Sequence, residues 1–215
     1  DSMLRNADLA ITSARRTYEK ILFFTKELHE LTMDRLRLER DLRQAVTRGQ
    51  LLLEYQPIVD AAKRAIAYEA LIRWNHPEMG VVKPDAFIGV AEEIHEIGKI
   101  GEWVIERSFA DLQRWRAAGL RAGLSINISA LQLADRNLPD LLRYHAERLE
   151  LEPRLVTIEV TESVMIRDFD LARESIEEIR NHGFGIAIDD FGAGYSSLSY
   201  LQQLPIDQVK FDRTM

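Results

Sequence analysis

Four short apolar runs in the second half of the chain are separated by helix-forming stretches. They are GLSINIS (Gly123–Ser129), LVTIEV (Leu155–Val160), FGIAID (Phe184–Asp189) and QVKFD (Gln208–Asp212). The segments between them, Pro139–Leu149, Leu171–His182 and Ser196–Gln203, read as helices. Strands alternating with helices form βαβ units, because a crossover long enough to hold a helix returns each strand in the same direction. Upstream, LLLEYQPIV (Leu51–Val59) and AIAYEALIRW (Ala65–Trp74) are two more strand-like runs, linked by a turn too short for a crossover. That link predicts an antiparallel hairpin. A loop with proline and glycine (His76–Pro84) follows, then two helical stretches, roughly Asp85–Ile97 and Ile100–Ala118. The expected fold is α/β, with about six strands, the first antiparallel to the rest.

Residues 1–48 read as helix with almost no breaker. Leu28, Leu31, Leu38 and Leu42 form one stripe, flanked by Arg35/Glu39, Arg37/Asp41 and Glu39/Arg43 at i,i+4 spacing. Such a seam packs either on its own domain or on a partner. The net charge of −7 disfavours general binding to a nucleic-acid polymer, whose phosphates need neutralising. A small anionic ligand remains open if metal ions supply positive charge locally. The absence of cysteine excludes disulfides, thiolate zinc sites and cysteine nucleophiles, and suits the reducing cytoplasm. The longest apolar runs, such as Ile21–Phe24, fall far short of the roughly 20 residues of a membrane span. The chain starts at Asp1, so a piece of a longer protein is expected.

Polar residues recur near the C-terminal end of each strand: Glu69, Asn127, Glu159, Asp189 with Asp190, and Lys210. A single strand acid usually marks an edge strand facing solvent. Five strands repeating the pattern point instead to the active face of a parallel α/β fold, which lies at the C-terminal strand ends. Carboxylates converging there repel unless cations sit among them. Oxygen donors without cysteine or clustered histidine suit Mg2+ or Mn2+. The five histidines are scattered and read as structural or exposed. DDFGAGYSS (Asp189–Ser197) is too dense in special residues for an ordinary βα turn, and its adjacent aspartates could serve two metals from one backbone corner. Ser196 or Ser197 could cap the next helix. Lys210 could orient an attacking water, or pair with Asp212 or an inner carboxylate. In YEALIRW, Glu69 and Arg73 are charges inside an apolar strand and need partners.

These segments resemble one family, the EAL-domain phosphodiesterases that hydrolyse cyclic di-GMP. The matching stretches are YQPIV at 55–59, EALIRW at 69–74, NIS at 127–129, EVTE at 159–162, DDFGAGYSSLSYL at 189–201 and KFD at 210–212, in the family's order. LRNADLAITSARR at 4–16 resembles, more weakly, the closing helix of a GGDEF diguanylate cyclase domain. The resemblance implies a remnant of that domain at 1–17, a connecting helix at 18–48 and an EAL domain at 49–215. It also implies a TIM-like (β/α) barrel preceded by a long N-terminal helix. Carried over, Glu69, Asn127, Glu159 and Asp189 resemble ligands of a first metal, and Asp189 and Asp190 those of a second. Glu69, Asp189, Asp190 and Lys210 form the implied catalytic set, with Lys210 holding the water. Gln56, Leu71 and Arg73 sit where the family contacts substrate. The implied reaction is two-metal hydrolysis, by Mg2+ or Mn2+, of cyclic di-GMP to linear pGpG. A homodimer, an upstream GGDEF or sensor domain and a membrane tether in the parent protein are further implications.

The family continues past the KFD strand, with a glutamate-bearing E-G-V-E segment and a Q-G-Y strand end. The expectation is therefore about six of eight strands, raw first and sixth strand edges, and impaired hydrolysis by a chain ending at Met215. The alternatives to an enzyme are a cyclic di-GMP receptor without turnover and an interaction module built around the long helix. Intact motif residues favour the enzyme.

Overall fold

The computed structural model describes residues 26–162, 169–192 and 203–211, with the side chains of 26–32 left aside. The chain enters through helix α1 (Lys26–Ala45), ended by the turn at Gly49, whose φ of +62° suits glycine. Leu38, Leu42 and Ala45 are buried against Leu51, Trp74, Phe87, Val90 and Ala91. This half of the leucine stripe thus packs on its own domain. Arg35 pairs with Glu39 as expected, whereas Asp41 is held by Arg40 and faces His76, and Arg43 reaches Glu96. The expected domain remnant at 1–17 and the first part of the connecting helix lie outside the described residues.

Strands β1 (Leu51–Val59) and β2 (Ala65–His76) form the antiparallel hairpin. Its turn is organised by Asp60, whose Oδ1 accepts from the N–H groups of Ala62 and Arg64. Pro57 is tolerated in β1 because that strand lies at the end of the sheet path. The stretch read as a loop after His76 contains a third short strand, β3 (Gly80–Val82), paired back on β2. Helices α2 (Pro84–Glu93) and α3 (Ile97–Ala117) lead into β4 (Gly123–Asn127). The four-residue α4 (Ala130–Leu133), absent from the sequence reading, and α5 (Leu138–Arg148) lead into β5 (Val156–Thr161). Helix α6 (Phe169–Asn181) precedes β6 (Gly185–Phe191), and β7 (Gln208–Phe211) closes the described chain. The helix expected at Ser196–Gln203 falls almost wholly outside the described residues.

The sheet order is β1-β2-β4-β5-β6-β7, with β2 to β7 parallel along the path and β3 off it. The α/β architecture and the inverted first strand are as expected. Strand register sorts side chains by period two. Leu124, Ile126, Ile158, Val160, Ile186 and Ile188 enter the core beneath α3, α5 and α6. Their alternating neighbours Ser125, Asn127, Glu159 and Asp189 face the other way. Behind β4 to β6 lies this larger core; a second, around Trp74 and Phe87, joins α1, α2 and the start of α3.

Candidate active site

The parallel register brings these polar residues to one level, although Glu69 lies mid-strand in β2, where the pairing with β4 over 67–70 ends, and not near the strand's C-terminal end as expected. Glu69 is opposite Gln56 across the hairpin and beside Ser125; Asn127 is beside Glu159; Thr161 is beside Asp189. Glu69, Glu159 and Asp189 each offer a carboxylate oxygen within 4.8 Å of the other two. Asn127 Nδ2 donates to Glu69 Oε1 at 2.8 Å. Lys210 Nζ donates to Glu69 Oε2 at 3.2 Å and pairs with Glu159 Oε1 at 2.5 Å. Of the two pairings left open for Lys210, the inner carboxylates are therefore observed; Asp212 lies outside the described residues.

Glu159 is 1% exposed, and both its oxygens are buried without a hydrogen-bond partner of good geometry. Burial pushes its carboxyl above the usual range and Glu69 adds to this, while Lys210 and Ser125 oppose it. For Lys210, burial would lower the ammonium, but Glu159, Glu69 and Asp189 together hold it above its ordinary value. A buried carboxylate, two more acids within reach and an amide to orient one of them is a donor set that fits a hard divalent cation.

Asp190 lies outside this group of three. It is exposed and adopts a left-handed φ of +53°, where the register with β7 shifts between Ile188 and Phe191. The adjacent aspartates thus diverge at a bulge, which sequence periodicity could not reveal. Arg73 pairs with Glu54 Oε2 at 2.8 Å and donates to the Ile72 carbonyl. Leu71, with Glu69 and Asn127, lines a cleft of about 600 Å3 walled by α2, the start of α3 and the loop after β4. Glu162, in the EVTE motif but outside the expected site, is buried and its Oε2 accepts from the Gly192 N–H at 2.8 Å, tying β5 to the turn after β6. Its position three residues after Glu159 in EVTE was the available signal. His76 and His145 are buried structural residues, in line with the reading of the histidines.

An α/β sheet whose C-terminal side gathers three acids, an amide and a lysine defines a barrel-type protein with an acidic cup. The EAL-domain family profile matches residues 39–215. The chain belongs to the EAL domain family, as the motifs indicated. It is 40% identical over 214 residues to MucR of Pseudomonas aeruginosa, a bifunctional diguanylate cyclase/cyclic di-GMP phosphodiesterase, covering 98% of this chain and 31% of that protein. It is 36% identical to the cyclic di-GMP phosphodiesterase PdeR of Escherichia coli, covering 99% of this chain and 32% of that protein. Among solved structures it is similar to the PaMucR phosphodiesterase in complex with c-di-GMP: TM-score 0.79, 42% identity, covering 83% of this chain and 73% of that one. The chain spans about a third of the length of these two curated relatives. No helix among the described residues is long and apolar enough to cross a membrane.

Proposed function

We propose that the protein hydrolyses cyclic di-GMP to linear pGpG, assisted by two divalent ions, Mg2+ or Mn2+. The convergence of Glu69, Glu159 and Asp189, with Glu159 buried and paired to Lys210, carries this reading. Glu69, Asn127, Glu159 and Asp189 would hold one ion, and Asp189 with Asp190 would contribute to the other. When bound, such ions supply positive charge to the scissile phosphate and raise the acidity of water. The ammonium of Lys210, held between Glu69 and Glu159, offsets part of the negative charge of the three acids. Lys210 would also orient the attacking water and offset developing negative charge. Gln56, Leu71 and Arg73 contact the substrate from β1 and β2, with Arg73 exchanging Glu54 for a phosphate oxygen. The cleft beside Leu71 offers apolar wall for the remainder of the ligand.

The proposal extends to a cytoplasmic homodimer coupled through α1 to an upstream GGDEF or sensor domain. Leu36, 47% exposed on α1, leaves an apolar position for such a neighbour. The test is incubation of the full-length protein with cyclic di-GMP and Mg2+ or Mn2+. Formation of pGpG that disappears in Glu159→Gln supports the reading. Binding without turnover would replace it with a receptor.

A further inference from the structure

The cup is supported from the side by a contact outside the charged cluster. Gly101 in α3 is buried, and a methyl group built on it would overlap Gln132 Nε2 and lie 2.9 Å from Gln132 Cδ. The Gln132 carboxamide therefore rests directly on the helix backbone, in a seat that exists only because residue 101 has no side chain. From that seat, Gln132 Oε1 accepts from the Ser129 N–H at 3.1 Å, and Ser129 Oγ accepts from the Gln132 N–H at 3.5 Å. This reciprocal pair is a capping box at the start of α4. A helix of four residues has too few internal bonds to hold its own position. Its placement comes from the box, from the seat on α3 and from the burial of Leu133.

The segment so fixed carries the amide of the cup. Asn127 is two residues before Ser129, and the intervening Ile128 N–H donates to the Glu159 carbonyl at 2.9 Å. Residues 127–129 are thus pinned on one side by β5 and on the other by Gln132. We propose that Gln132, seated on Gly101, is a positioning residue: it sets the exit of β4 so that Asn127 holds the Glu69 carboxylate toward Glu159 and Asp189. The inference rests on the reading of that cluster as a divalent-cation site. Groups hydrogen-bonded directly to a ligand typically contribute 10- to 100-fold to metal affinity, and Gln132, which acts through the backbone of 127–129, belongs at the low end of that range.

The experiment uses the full-length protein, with Mn2+ as the probe, and measures Mn2+ affinity by titration calorimetry alongside thermal unfolding without metal. Gly101→Ala should weaken Mn2+ binding up to about tenfold, and Gln132→Ala should do the same. The double variant should be no weaker than Gln132→Ala alone, because removing the carboxamide vacates the space the methyl needs. Gln132→Glu, which keeps the capping box, should retain most of the affinity. If Gly101→Ala fails to fold, the Gln132→Ala and Gln132→Glu pair carries the same decision. Lowered unfolding temperature with unchanged Mn2+ affinity in these variants would overturn the positioning role while leaving the cation site standing. Additive losses in the double variant would overturn the seat. Failure of the wild-type protein to bind Mn2+ at all would overturn both the site and this inference.

Discussion

Two carboxylates at opposite ends of the parallel part of the sheet have opposite surroundings. Glu159, near the C-terminal end of β5, is buried with unsatisfied oxygens, beside two further acids and a lysine. Asp207, just before β7 at the N-terminal end, accepts from the Ile186 N–H at 2.8 Å and from Arg180 Nη1 at 2.5 Å. Burial raises Glu159, whereas backbone and guanidinium donors leave Asp207 below its usual range despite its partial burial. One end of the sheet is arranged against its own electrostatics and the other is satisfied by it. Barrel folds divide in this way because strand-end loops on one face take on chemistry while the opposite face serves stability.

The sharpest break in that comparison comes from Glu159→Gln. Losing the charge should lower the hydrolysis rate about a thousandfold, or roughly 4 kcal/mol of barrier. Folding stability should change by less than about 1 kcal/mol, because the desolvated charge is removed while Lys210 keeps Glu69 as its partner. Single-turnover assays and urea unfolding of the same preparation check both halves. The neighbouring residue should behave inversely. Ile158 is fully buried in the core behind the sheet, so Ile158→Ala should cost about 2–5 kcal/mol of stability. Its activity per folded molecule should stay within about threefold of wild type, since the side chain points away from the cup. Equal losses of activity in the two variants would dissolve the distinction between the faces of β5.

A third variant sharpens the electrostatic half. Lys210→Met removes the ammonium that pairs with Glu159 and Glu69. The metal-free variant should lose about 2 kcal/mol of stability, as breaking a largely buried pair leaves its partner uncompensated. Saturating Mn2+ should restore more stability in this variant than in the wild type, because the cation no longer displaces a competing ammonium. Thermal unfolding with and without Mn2+ measures the difference. An equal metal-induced shift in both proteins would mean that Lys210 is not the stand-in charge.

The period-two pattern of β4 to β6 made the fold readable, since each strand has an apolar face and one misplaced polar residue near its end. Asn127, Glu159 and Asp189 stood out for that reason, and Glu69 in β2 and Lys210 in β7 as charges inside apolar runs. Three kinds of feature were not. Short elements stabilised by tertiary pairing leave almost no local signal, so β3 reads as loop and α4 as nothing, although Ser129 and Gln132 do carry a capping-box spacing. Backbone departures such as the left-handed Asp190 break the alternation that the reading relied on. Contacts between remote segments are set by packing alone: Arg73 with Glu54, and Gln132 over Gly101. The buried stripe of α1 was visible, but whether it met its own domain or a partner depended on Trp74 and Phe87 lying beneath it.

The smallest expected effect lies at the satisfied end of the sheet and concerns pH. The folded pKa of Asp207 is lowered: burial acts to raise it, but the Ile186 N–H and the hydrogen bond and charge of Arg180 outweigh burial. A depressed carboxyl contributes stability above its unfolded value, near 3.9, and that contribution is lost as pH falls through the lower folded value. The side chain is 41% exposed, so solvent screening keeps the contribution below about 1 kcal/mol. Asp207→Asn should therefore be slightly less stable than wild type at pH 5, with the gap closing as the pH is taken below about 4. Urea midpoints at matched ionic strength across that window read the difference. A gap that stays constant with pH would assign the effect of the substitution to shape or hydrogen bonding, and the N-terminal end would then owe its stability to packing without a contribution from charge.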